Sequence, residues 1–207
     1  MKYWGVKRYE NKVIPGDCLT ILHFFPKKSV DMILCDLPYG ITGNPWDKPI
    51  PLPPLWTQYE RIIKDTGAIV LTAQGRFTAQ LIMSNEKLFR YKIVWIKSVA
   101  TGFLNARRQP LRKHKGIYIF YKQSPVYHPQ MRAGKPYDPS TSNGKQTGSY
   151  GKFKSLPTPN LSGQRFPTDT LLPSMEGFSE DHVSFKTANG EGKVHHSVQK
   201  PVALQRY

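Results

Sequence analysis

The sequence predicts an α/β fold: an open, mostly parallel sheet covered on both faces and followed by a loop-rich segment. Three observations lead to it. Four short runs rich in β-branched and aromatic residues, VDMILC (30–35), GAIVLTA (67–73), YKIVWIK (91–97) and GIYIFYK (116–122), are bounded by turn-formers and read as strands. Between the first three the apolar residues switch to helical spacing, and such alternation favours parallel pairing. From about Tyr127 to Lys193 the chain is crowded with Gly, Pro, Ser, Thr, Asn and Lys and shows no sustained period.

Taken in order, GDCLTILHFFP (16–26) places Asp17 to N-cap a short helix carrying Leu19 and Leu22, which Pro26 helps to end. After the first strand, Leu55, Tyr59, Ile62 and Ile63 fall on one helical face, and after the second, Phe77, Leu81 and Ile82 repeat that spacing. The later stretch AGKPYDPSTSNGKQTGSYGKFKSLPTPNLSG is too long for an ordinary connection, so it is either a functional loop region or disordered. Its basic and aromatic side chains, Lys135, Tyr137, Lys145, Tyr150, Lys152 and Phe153, with Arg132 just before it, allow phosphate contacts and base stacking. The organisation expected is an α/β part over 1–126, a loop-rich target-recognition segment over 127–193 and a terminal element over 194–207.

Composition narrows the function. Thirty Lys and Arg against fourteen Asp and Glu give a formal charge of +16, which attracts polyanions, so nucleic acid is the leading partner class. No apolar run approaches the roughly 20 residues needed to span a bilayer, no segment reads as a cationic amphipathic helix, and no signal-peptide pattern opens the chain; the expected location is the cytoplasm. The two cysteines, Cys18 and Cys35, sit among apolar residues and read as reduced packing thiols. His195 and His196 have no second cluster of ligands at suitable spacing, and no metal is assigned. RRQPLRKHK (107–115) packs Arg107, Arg108, Arg112, Lys113 and Lys115 into nine residues before a strand, either as a solvated loop or as a phosphate-backbone contact.

The most informative stretch is VDMILCDLPYGITGNPWD (30–47), an apolar run ending on Asp36, Leu37, Pro38, Tyr39 and Gly40. In open α/β sheets ligands bind outside the carboxyl ends of the strands. An acceptor carboxylate beside a proline-stiffened turn and an aromatic face suits a flat ring bearing an amino group, such as a flipped nucleobase.

Together with NKVIPGDCLTILHFFPKKS (11–29), RFPTDTL (165–171) and HHSVQKPVALQRY (195–207), this stretch resembles the β-order amino-methylating DNA methyltransferases. There a Gly-Asp-Cys element, an Asp-Pro-Pro-Tyr turn, an Arg-Phe/Tyr-Pro element and a His-Pro-Thr-Gln-Lys-Pro element occur in this order; each alone is a weak signal, and the succession is what is specific. The resemblance implies the sheet of the S-adenosylmethionine-dependent methyltransferases, S-adenosylmethionine as cofactor, and double-stranded DNA with a flipped target base as partner. It implies that Asp36 and the carbonyl of Leu37 accept the two hydrogens of the target amino group and that Tyr39 stacks on the base. The methyl would then pass directly to nitrogen, without a covalent enzyme intermediate and without Cys35 as nucleophile. Asp17 would lie near the cofactor's adenosine, and Ser197, Gln199 and Lys200 would reach the cofactor from the far end of the chain. An Asp-initiated turn favours adenine N6 over cytosine N4.

Three departures qualify the resemblance. Leu37 stands where the family has the first proline of its turn, a mild change because the carbonyl survives. Ser197 is displaced by one position from the family threonine. The glycine-rich turn that forms the methionine end of the cofactor pocket does not occur before Tyr207, so the sheet is expected to be incomplete, with an open edge and exposed apolar surface. The chain is accordingly expected to be a fragment, a truncated reading frame or one half of a split enzyme, completed by a segment or subunit carrying that turn. Two alternatives stand beside this reading, a non-catalytic DNA-binding remnant and an RNA base methyltransferase. A protein-glutamine methyltransferase is disfavoured, because the glycine-rich turn that should precede its motif does not occur before Asp36.

Overall fold

The computed structural model describes residues 10–138 and 159–171. Ser197, Gln199, Lys200 and the whole 194–207 element lie outside the described residues. Five strands, β1 (Val30–Asp36), β2 (Ile63–Ala73), β3 (Phe89–Thr101), β4 (Arg112–Phe120) and β5 (Thr170–Leu171), form one sheet in the order β1-β2-β4-β3-β5. Three helices, α1 (Cys18–Leu22), α2 (Leu52–Ile62) and α3 (Arg76–Ser84), complete the described elements apart from a short 3-10 turn. No helix among the described residues is long and apolar enough to cross a membrane.

The helices form where expected. Asp17 caps α1, its Oδ1 accepting from the amide of Thr20 at 2.9 Å, so the capping role read from the sequence is met. α1 stops at Leu22, whose carbonyl an amide at position 26 would have taken to continue the helix; Pro26 has none, and the Arg61 guanidinium of α2 donates to that carbonyl at 2.7 Å and to that of Phe25 at 2.6 Å instead. α2 opens on Pro53 and Pro54, in the first turn where a missing N–H costs nothing, and buries Leu55, Trp56, Tyr59 and Ile62. Ile63, read from the sequence as a helical position, already has extended backbone and begins β2.

The sheet is mostly parallel in direction, with one strand reversed. β1 pairs parallel with β2 and β5 with β3, while β4 lies antiparallel between β2 and β3. The cause is the link between β3 and β4, ten residues without helical spacing, since a parallel neighbour requires a longer crossover. All three helices pack on one face, where Ile69, Leu71, Ala73, Leu81, Tyr118 and Phe120 form the main core. Among the described residues the other face carries a smaller cluster of Trp95, Ile117, Ile119 and Leu171, the last contributed by the edge strand β5. Among the described residues β1 forms one edge of the sheet, and Met32 and Leu34 on this second face are 52% and 44% exposed.

The described parts of the loop-rich segment pair with each other and, through Thr170–Leu171, with β3. Arg132 bridges to Arg165 and Tyr137 to Asn160, and the segment then enters the sheet as β5. The Arg165 guanidinium lies 4.5 Å from the centre of the Tyr137 ring and donates to the Lys135 carbonyl at 2.5 Å.

Because Leu81 is fully buried between α3 and the sheet, Leu81→Ala is expected to cost about 2–5 kcal/mol of unfolding free energy. Met32→Ala, on the open face, should change it by about 0.5 kcal/mol or less, both read from denaturant unfolding.

Candidate active site at the carboxyl end of the sheet

Asp36 is the last residue of β1, and the parallel register sets it directly beside Thr72 of β2. The chain then turns through Leu37, whose side chain is buried in the main core, and Pro38, and returns at Tyr39. The Tyr39 hydroxyl donates to Asp36 Oδ1 at 2.5 Å, the Thr72 hydroxyl donates to the same oxygen, and the two hydroxyls lie 2.6 Å apart. The carboxylate is thereby held in one orientation by groups from two elements. Burial first, then the negative charge of Asp36 and the hydrogen bond to it, push the Tyr39 phenol far above its ordinary range, so it remains a proton donor. The ring stacks on Phe77 of α3 at 5.3 Å and 26°, and Lys115 Nζ of β4 lies 5.6 Å from its centre.

The turn is fixed from below by Asp47. Its Oδ1 accepts from the amide of Gly40 at 2.9 Å, and its Oδ2 from the amides of Ile41 and Thr42 at 2.9 and 2.7 Å and from the Thr42 hydroxyl at 2.7 Å. Only 7% of Asp47 is exposed. Burial opposes its charge, but the Gly40 amide, the Thr42 hydroxyl and amide and the Ile41 amide outweigh that and bring its pKa down to about 2. Gly40 is required at the pivot: its φ is +67°, and an added Cβ would stand 2.7 Å from Pro49 Cγ.

β3 and β4 run on past the end of β2. Ala73 is level with Gly116 and Val94, so residues up to Thr101 on one strand and from Arg112 on the other form an arm reaching beyond the site, roughly 14 Å at strand rise over the four residues of β4. At its base a cavity of about 240 Å³ is lined by Gln74, Thr78, Lys92, Arg112, His114 and Lys115 among others, with no carboxylate in its wall. A larger open depression lined by Thr57, Glu60, Arg61 and Lys122 lies at the amino end of the sheet, away from Asp36.

This architecture has known counterparts. No protein-family model matches the chain. Among solved structures it is similar to the PvuII DNA methyltransferase (cytosine-N4-specific), with a TM-score of 0.52 at 12% identity over 91% of this chain and 65% of that one. The chain has the fold of that DNA methyltransferase. A more partial likeness is to M1.HpyAVI, in a complex with SAM (TM-score 0.39, 18% identity, 53% of this chain and 52% of that one) and alone (TM-score 0.35, 18% identity, 46% of each). The chain thus spans about half to two-thirds of the length of the solved structures it matches.

Of the residues singled out from the sequence, Asp36, Leu37, Pro38 and Tyr39 stand together at the carboxyl end of β1, and Lys115 reaches them from β4. Arg112 and Lys113 lie along the arm, and Arg107 and Arg108 are exposed in its terminal turn. Asp17 is exposed, and no hydrogen bond joins it to the Asp36 turn. Cys35 packs against the main core, and burial raises its thiol pKa, which disfavours the nucleophilic thiolate. Sequence reading missed Thr72, Phe77 and Asp47. The first two join the site only through strand register and helix placement. Asp47 left a faint trace, an acid following the turn-rich Gly-Ile-Thr-Gly-Asn-Pro run.

The Asp47 clamp is expected to titrate. A carboxyl ordinarily at 3.8 and held at about 2 when folded contributes stability that is complete above about pH 4 and is lost as pH falls from there through about 2. Hydrogen exchange at the amides of Gly40, Ile41 and Thr42 should therefore accelerate, beyond the intrinsic pH dependence, on acidification through that window. In Asp47→Asn the same amides should already exchange fast at pH 6 and show no such transition.

Proposed function

We propose that the chain is the catalytic and target-reading part of a DNA methyltransferase that moves a methyl group from S-adenosylmethionine to an exocyclic amino group, adenine N6 in preference to cytosine N4. The observation that supports this most is the Asp36 carboxylate, oriented by two hydroxyls at the carboxyl end of a strand, in a chain whose fold is that of a DNA methyltransferase. The net charge of +16 supports a polyanionic partner.

Asp36 accepts one hydrogen of the target amino group and the Leu37 carbonyl the other. A carboxylate has about four acceptor positions and can accept from a substrate donor as well as from the protein groups that orient it. Both N–H bonds directed into fixed acceptors favour an amino lone pair less delocalised into the ring, and so more nucleophilic. S-adenosylmethionine, when bound, supplies an electrophilic methyl on a sulfonium. The protein's part is to hold the amino nitrogen at attacking distance and to stabilise the positive charge that develops on it, which the Asp36 carboxylate does. That nitrogen, cationic once methylated, would then pass one proton to the Asp36 carboxylate and on to solvent. A base stacked on Tyr39 takes the ring face near Lys115, whose flexible ammonium shifts to the phosphate backbone.

Asp17 fits a place near the cofactor: its exposed carboxylate is kept ionised by the Thr20 amide and hydroxyl, and an ionised carboxylate accepts hydrogen bonds from ribose hydroxyls. Ser197, Gln199 and Lys200 are the other proposed cofactor contacts. The preference for adenine rests on the Asp-initiated turn.

In a methylation-competent form, Asp36→Ala should abolish single-turnover methyl transfer while DNA affinity stays within a few-fold. Tyr39→Ala should weaken flipped-base binding by about 1–3 kcal/mol, the worth of one base–aromatic stack. Near-normal transfer by Asp36→Ala would remove the catalytic assignment.

A further inference from the structure

We infer that the tip of the β3–β4 arm is an apolar wedge that enters the base stack of duplex DNA. The inference rests on the reading of the chain as acting on DNA and adds a place and a manner of contact. At the tip, Gly102 adopts a left-handed conformation (φ +94°) and turns the chain into a one-turn 3-10 helix, Phe103–Asn105. That turn presents Phe103 and Leu104 outward, 76% and 85% exposed. Val99 on the β3 side and Leu111 on the β4 side extend the apolar strip, at 63% and 46% exposure. The backbone holds the tip firmly, with Asn105 and Ala106 amides closing on Gly102 and Phe103 carbonyls at 3.0 Å and Arg108 on Asn105 at 2.9 Å.

Two large apolar side chains at an arm's end require a partner to cover them. Charge selects it. Residues 87–137 contain twelve Lys and Arg and no Asp or Glu, and Arg107, Arg108, Arg112 and Lys113 follow the wedge directly. So cationic a setting disfavours a second copy of the same arm and favours a polyanion. Among polyanions, duplex DNA is one whose interior accepts apolar side chains: Phe and Leu inserted between base steps unstack them, while flanking cations hold the phosphates. The direction of the arm agrees, since it extends from the same end of the sheet as Asp36. Unstacking a step near the target lowers the cost of extruding a base into a site at the arm's foot.

The test uses the whole chain and duplexes carrying 2-aminopurine, whose emission rises on unstacking, with binding followed separately by fluorescence anisotropy across a salt series. Wild type should bind and raise the emission. Phe103→Ser/Leu104→Ser should bind with affinity reduced only a few-fold and the same slope of log K against log salt, yet lose the emission rise. Phe103→Trp should retain it. Circular dichroism should be the same for all three, as expected for side chains in solvent. Binding by wild type without an emission rise, or an unchanged rise in the double variant, overturns the wedge and leaves the DNA reading standing. Concentration-dependent self-association abolished by the double variant would make the tip an interface between copies and also overturns the wedge. Absence of any salt-dependent DNA binding by wild type overturns the DNA reading and the wedge with it.

Discussion

The site depends on the parallel pairing of β1 with β2. In the register Ile33↔Ile69, Cys35↔Leu71 and Asp36↔Thr72, alternate residues of both strands face the helices and the rest face away. A shift of one residue would turn Ile33 and Cys35 out of the core and Met32 and Leu34 into it. The apolar side chains under α2 and α3 therefore select the register, and that register sets the Asp36 carboxylate against the Thr72 hydroxyl. The geometry at the strand's end is thus a by-product of core packing further down the same strand.

Around this fixed pair the remaining groups perform separate tasks. Tyr39 couples the turn to α3 through Phe77 and to the carboxylate through its hydroxyl, so the ring cannot move without disturbing Asp36. Asp47 holds the following loop by four hydrogen bonds, three of them from successive backbone amides that an irregular loop would otherwise leave unpaired. The reversed β4 brings Lys115 to the foot of the site and, with β3, projects a cationic arm past it. A rigid acceptor, a clamped turn and a charged arm then converge on one end of the sheet.

Much of this was legible in the chain itself. The four main strands, the three helices, the Asp17 cap and the turn at Asp36 all announce themselves through local periodicity and turn chemistry, which act over a few residues. What was not legible depends on contacts between distant segments. That β4 would run antiparallel between β2 and β3 follows from where a ten-residue link can place a strand, and no local pattern encodes the slot it fills. Thr72 reads as one more β-branched strand residue until register pairs it with Asp36, and Phe77 reads as helix core until Tyr39 stacks on it. The placement of each helix is hidden for the same reason: spacing shows that a helix has an apolar side and is silent on which face of the sheet receives it.

The central claim, that Asp36 presents an exocyclic amino group for direct methylation, is tested most directly by the identity of the product. A methylation-competent form of the chain, expressed in cells whose own DNA methylation is disabled, should leave N6-methyladenine, or N4-methylcytosine, in the DNA on nucleoside mass spectrometry. Finding 5-methylcytosine, which requires attack at ring carbon, or no methylated nucleoside despite soluble folded protein, would contradict the account.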